Sequence, residues 1–113
     1  AMADPQSLHP ARVNLPKSAR RGELVLVKTI IAHPMETGLR TDETGRRVEQ
    51  RLIHTFTCAV NGRIVFKAEL YTGISANPYL VFTFRARESG TVEFLWRDDD
   101  GSIYREIASI EVT

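Results

Sequence analysis

The 113 residues carry 15 Lys+Arg against 14 Asp+Glu, with one cysteine and one tryptophan. Size scaling gives a chain of this length roughly 6,200 Å² of folded surface against about 18,400 Å² unfolded, enough burial for one core and not for two domains. A lone cysteine excludes an intrachain disulfide framework and a cysteine-built zinc site, the near-neutral charge argues against a nucleic-acid groove, and no stretch approaches the apolar length of a membrane-spanning helix.

Residues 1–11 read as a loose tail with an added residue ahead of Met2, and residues 12–113 as one domain. From Arg12 onward short β-rich runs recur, each closed by a turn signal. Val13 and Leu15 alternate with polar residues until Pro16 stops the run, and Arg21-Gly22 turns the chain. Glu23 to Ala32 follows, with Val25, Val27, Thr29 and Ile31 on one face. Its other face, Leu24, Leu26, Lys28 and Ile30, is nearly as apolar, which predicts cover on both sides. His33-Pro34 ends it, and a long polar segment runs to about Gln50, with Gly38, Asp42 and Gly45 as turn formers and room for a β-ribbon.

Leu52 to Val60, Asn61-Gly62 and Ile64 to Tyr71 predict a hairpin, because Asn and Gly tolerate the positive φ of a type I′ turn. Thr72 to Pro78 connects it to Tyr79–Arg87, in which Leu80, Phe82, Phe84 and Ala86 face inward. Thr91 to Arg97 then places Val92, Phe94 and Trp96 inside, and Asp98 to Gly101 turns the chain into Ser102–Val112. About seven strands at this spacing, with almost no helical periodicity, predict an all-β, immunoglobulin-like antiparallel sandwich with Trp96 as its core anchor.

Chemistry-bearing residues are few. Cys58 is the one candidate nucleophile, and His54 is placed by strict alternation on the same strand face. Four strand steps separate their Cα atoms by about 13 Å, too far for a Cys-His dyad within one strand. Cys58 therefore reads as a small core hydrophobe. His33 and Met35 offer soft ligands for a copper- or small-ligand-binding sandwich, the alternative function, with no dense ligand set around them. Asp98-Asp99-Asp100-Gly101 lacks the alternation and distal Glu of an EF-hand and reads as a turn. Patterning leaves Leu24, Leu26, Ile30, Val81 and Leu95 pointing away from the core, which predicts a partner-binding face. Arg40, Arg46, Arg47 and Arg51 make the long loop a second candidate, as a guide for anions.

The segments His33-Pro34-Met35-Glu36-Thr37-Gly38, then Arg40, Asp42 and Gly45, Phe56-Thr57-Cys58, Asn61-Gly62, Ala76-Asn77-Pro78-Tyr79 and Trp96 to Gly101, in this order, resemble the SoxZ family of sulfur-oxidation proteins. The resemblance runs from about Val13 to Val112. It implies a non-catalytic subunit, without cofactor or metal, that pairs with SoxY as a heterodimer or heterotetramer and meets the other Sox enzymes transiently. In that family the sulfur intermediate rides on a cysteine in a glycine-rich arm of SoxY. No such cysteine occurs in these 113 residues, whose one thiol lies within a predicted strand. The resemblance further implies a periplasmic location, reached by export together with SoxY, and neither nucleic acid nor membrane as a partner. The motif positions that carry it, His33, Pro34, Met35, Glu36, Gly38, Arg40, Asp42, Asn77, Pro78 and Tyr79, fall mostly in connections.

Overall fold

The computed structural model describes residues 11–31, 41–47, 52–70 and 79–113. Among the described residues eight strands form two sheets: β1 (Ala11–Asn14), β2 (Ser18–Ala19), β3 (Leu24–Ile31), β4 (Ile53–Val60), β5 (Arg63–Glu69), β6 (Tyr79–Arg85), β7 (Gly90–Asp98) and β8 (Ile103–Val112). One sheet has the order β1-β3-β6 and the other β2-β8-β7-β4-β5. The predicted all-β, immunoglobulin-like sandwich is thus present, with β1 starting at Ala11, one residue ahead of the expected domain boundary.

The extra strand is β2. Pro16, which lacks an amide hydrogen, ends β1, and the chain crosses to the other sheet, where Ser18 and Ala19 run parallel to Glu111 and Val112. The other pairings among the described strands are antiparallel. A two-residue parallel contact has no alternation to read, so the sequence offers no signal for it. The β4–β5 hairpin forms as predicted: Asn61 has φ of 50° and Gly62 of 85°, the left-handed pair that a type I′ turn demands.

The core lies between the sheets. Phe56 from β4 touches Trp96 of β7 at 5.1 Å between ring centroids and reaches across to Phe82 of β6 at 5.8 Å. Phe66 of β5 stacks on Phe82 at 4.2 Å, closing the side where the edge strands of the two sheets approach. Trp96, Phe56, Phe94, Val25, Val27, Ile31 and Val92 are all shut off from solvent, as their inward alternation predicts. The Trp96 indole N–H has no hydrogen-bond partner among the described residues, so its contribution comes from ring packing.

Two sequence expectations need correction. The outward face of β3 is not covered: Leu24, Leu26 and Ile30 are exposed on the isolated chain. His54 does not share the Cys58 face either. Between Ile53 and Thr55 the register with β7 slips, two steps on β4 opposing one on β7, and this bulge turns His54 to solvent while Ile53 and Phe56 are both buried.

Candidate functional site

The three-stranded sheet has an inner face of Val25, Val27, Thr29, Phe82 and Phe84 and an outer face that the cross-strand register defines row by row. Ile30 sits between Arg12 and Tyr79, Lys28 between Asn14 and Val81, Leu26 opposite Thr83, and Leu24 opposite Arg85. Leu24, Leu26, Val81 and Tyr79 are 47–57% exposed and Ile30 37%. Five apolar side chains in adjacent rows expose on the order of 400 Å², as much as the largest patch of an ordinary monomer. The polar residues among them are Arg12, Lys28 and Arg85 with neutral Asn14 and Thr83, so no outward position of these three strands carries a carboxylate.

Leu95 does not belong to this patch. It lies on β7, in the other sheet, half-buried on the opposite outer surface of the sandwich, with Thr57 and Arg105 as its cross-strand neighbours. Strand alternation shows that a side chain points outward but not from which sheet, and for this reason the five predicted face residues divide four to one. The surface around Leu95 carries exposed Ile64, Ile103 and Ile107, interleaved with charges of both signs: Arg105 pairs with Glu93 at 2.5 Å, and Lys67 lies 3.4 Å from Glu69.

The structure does not bring Cys58 and His54 together. Cys58 is wholly buried, opposite Phe66 on one side and Phe94 on the other, and desolvation pushes its thiol from 9.0 up to about 12. Such a thiol is neither ionised nor reachable at neutral pH. His54, exposed, keeps company with the Thr55 hydroxyl at 2.7 Å.

The acidic run is a turn, as predicted. The buried Asp98 carboxylate accepts the amides of Asp100 and Ser102 and the Tyr104 hydroxyl, while Gly101 takes a φ of 88°. Asp99 ties the turn to the start of β4 by accepting the Leu52 amide. Asp42 does similar work in the long loop, accepting the amides of Thr44 and Arg46 and closing a small ribbon through the Thr41–Arg47 bridge. His33, Pro34, Met35, Glu36, Gly38, Arg40, Asn77 and Pro78 lie outside the described residues. Among the described residues no three His, Cys, Asp or Glu side chains are grouped to hold a metal.

Sequence reading missed a cationic end of the sandwich. There Arg63, Arg85 and Arg87 line a cleft of about 280 Å³ with Val60, Val65, Phe84 and Glu88, and Arg21 joins Arg85 and Arg87 around an adjoining one of about 390 Å³. These arginines come from three separate parts of the chain, and the packing of one sheet on the other brings them together.

Known folds place this geometry. The superoxide reductase (neelaredoxin) of Ignicoccus hospitalis superposes with a TM-score of 0.72 at 14% identity, over 93% of this chain and 81% of that one. The sulfur carrier protein SoxY of Chlorobium limicola gives 0.63 at 14%, over 92% and 79%. A single-substitution variant of the superoxide reductase (neelaredoxin) of Archaeoglobus fulgidus, in its reduced form, gives 0.65 at 18%, over 98% and 95%. At such identities the likeness is one of fold. No curated protein sequence matches the chain. The family model of the sulphur oxidation protein SoxZ does match, over residues 13–108, which takes in β2 to β7 whole together with parts of β1 and β8. The chain belongs to the SoxZ family of sulfur-oxidation proteins.

Proposed function

We propose that this chain is the non-catalytic scaffold subunit of a SoxYZ sulfur carrier, pairing with SoxY through the outer face of the β1-β3-β6 sheet. The observation that carries the reading is the apolar patch of Leu24, Leu26, Ile30, Tyr79 and Val81, exposed in adjacent rows on the isolated chain. A stable interface takes about 800 Å² from each partner, so this patch would supply roughly half of one and its cationic border the rest. The fold shared with SoxY supports a pairing of two related sandwiches, sheet against sheet. The three cations and the absence of outward carboxylates on these strands favour a partner surface with acidic groups at its margin.

The non-catalytic role is supported by the thiol. A sulfur carrier needs a cysteine that can ionise and move between enzymes, and Cys58 is fixed in a central strand behind aromatic rings. The mobile thiol of the complex would then be SoxY's, and the loaded SoxY arm would be offered to the enzymes of the pathway from the platform that this chain provides. A periplasmic location, reached together with SoxY, belongs to the same proposal.

The test is co-purification of tagged SoxY with the chain carrying Leu26→Asp. Loss of SoxY from a variant that retains its β-sheet circular dichroism and melting temperature supports the face. Undiminished pairing overturns it.

A further inference from the structure

We propose that the arginine-lined cleft at the turn end of the sandwich binds a sulfur oxyanion, a group ending in –SO3⁻. Half-buried Val60 and Val65 and buried Phe84 give it an apolar floor, and Arg63, Arg85 and Arg87 line it beside them. Arg21 adds a fourth from the adjoining cleft, and Glu88 is the one carboxylate among the described residues that line either. In a chain whose net charge is +1, four cations around one anion are a local concentration of charge. Arg21, Arg63 and Arg87 have no ion-pair partner among the described residues, so their forks are free for a ligand.

The site is built on fixed backbone. Arg85 donates to the Gly22 carbonyl at 2.6 Å, and the Gly22 amide donates to Ala86 while that of Ala86 donates to Glu23, clasping the turn to the end of β6. The Asn61 side chain accepts the Thr91 amide and donates to the Ser89 carbonyl, which holds the hairpin tip, and with it Arg63, against the connection that carries Arg87. Planar guanidinium forks match the paired oxygens of a tetrahedral oxyanion, and the apolar floor suits a bridging sulfur or a short aliphatic stem better than a fully hydrated ion. The oxidised forms of sulfur are such anions at neutral pH. The choice of sulfur among oxyanions rests on the reading above; the cleft and its charge do not.

The test is a titration of the ¹⁵N-labelled chain, followed by amide shifts, with thiosulfate, S-sulfocysteine and phosphate, each against sodium chloride of equal ionic strength. Expected are saturable shifts at residues 20–23, 60–65 and 85–91, with the Arg63→Gln/Arg87→Gln double variant weakening them at least about tenfold and Arg63→Lys/Arg87→Lys recovering part of the loss. Tighter binding of S-sulfocysteine than of thiosulfate assigns a cysteine-borne group, and the reverse assigns the free anion; either supports the site. Shifts that chloride reproduces, shifts without saturation, an unaffected double variant, or phosphate binding as well as thiosulfate each overturn it. Co-purification of the double variant with SoxY reports on the apolar face alone, so a failed titration leaves the pairing proposal standing.

Discussion

Raising the pH from 8 to 10 should weaken the fold through Cys58, and by an amount that the structure sets. In the unfolded chain the thiol ionises near 9.0, and in the folded one near 12, because burial among Phe66 and Phe94 disfavours the thiolate. The folded-state value is the higher of the two. Its stabilising effect is therefore complete below pH 9 and is lost as pH rises from 9 towards 12, by about 1.4 kcal/mol at pH 10 and about 2.7 kcal/mol at pH 11. Tyrosine and lysine titrate in the same range, so the comparison is with Cys58→Ala, which retains those groups and lacks the thiol. Urea unfolding of both proteins at pH 8 and 10 should show the wild-type advantage shrinking by about 1.4 kcal/mol, roughly 0.5–1.5 M in the midpoint for ordinary urea slopes. A gap that stays constant would mean that Cys58 ionises in the folded protein about as it does in the unfolded chain. The argument that this thiol is packing volume and not a carrier would then fail.

Leu26→Asp should raise the dissociation constant for SoxY at least about a hundredfold, since the lost apolar contact is worth about 1 kcal/mol and a carboxylate in a closed interface costs several more, partly relieved by Lys28 and Arg85. Ile64→Asp, on the other sheet, should leave it within twofold; calorimetric or biosensor titration distinguishes the two faces, and the reverse ranking would assign pairing to the five-stranded sheet. Gly90→Ala should cost about 1–2 kcal/mol, because a Cβ there would fall on Asn61 Oδ1 and drive that side chain off Thr91 and Ser89. In an Asn61→Gly background the same substitution should cost little, a non-additivity that thermal melts of the four proteins would show. Asp98→Ala should lower stability by about 1–3 kcal/mol, as it strips the acceptor from the Asp100 amide and the Tyr104 hydroxyl and leaves the Ser102 amide only Asp100, and equal melting temperatures would refute the account of the turn.

Alternation with period two was enough to read which residues of β3, β6 and β7 face the core, because these strands are flanked by turns whose chemistry is local. The same signal misplaced His54, since a bulge inserts a residue without changing composition and inverts the parity upstream of it. It also grouped Leu95 with Leu24, Leu26, Ile30 and Val81, because facing outward is a property of a strand and sharing a surface is a property of the sheet order. The arginine cleft was illegible for a related reason. Arg21, Arg63, Arg85 and Arg87 have ordinary neighbours in sequence and become a group only when β4–β5 and β3–β6 are set side by side.

The parallel contact between Ser18-Ala19 and Glu111-Val112 bears on how the protein is made. The ribosome delivers a chain from its N-terminus, and of the described strands β2 has its partner in β8, the last of them in chain order. Until β8 is out, β7 has no neighbour on one side, and Phe94 and Trp96 lack the cover of Tyr104 and Ile110. From the emergence of β2 to that of β8, the larger sheet is without the strand that joins β2 to β7. Closure over so long a loop is slow. A chaperone, or an already folded partner sandwich, would have its greatest effect on yield in that interval, before the mature fold exists to be bound.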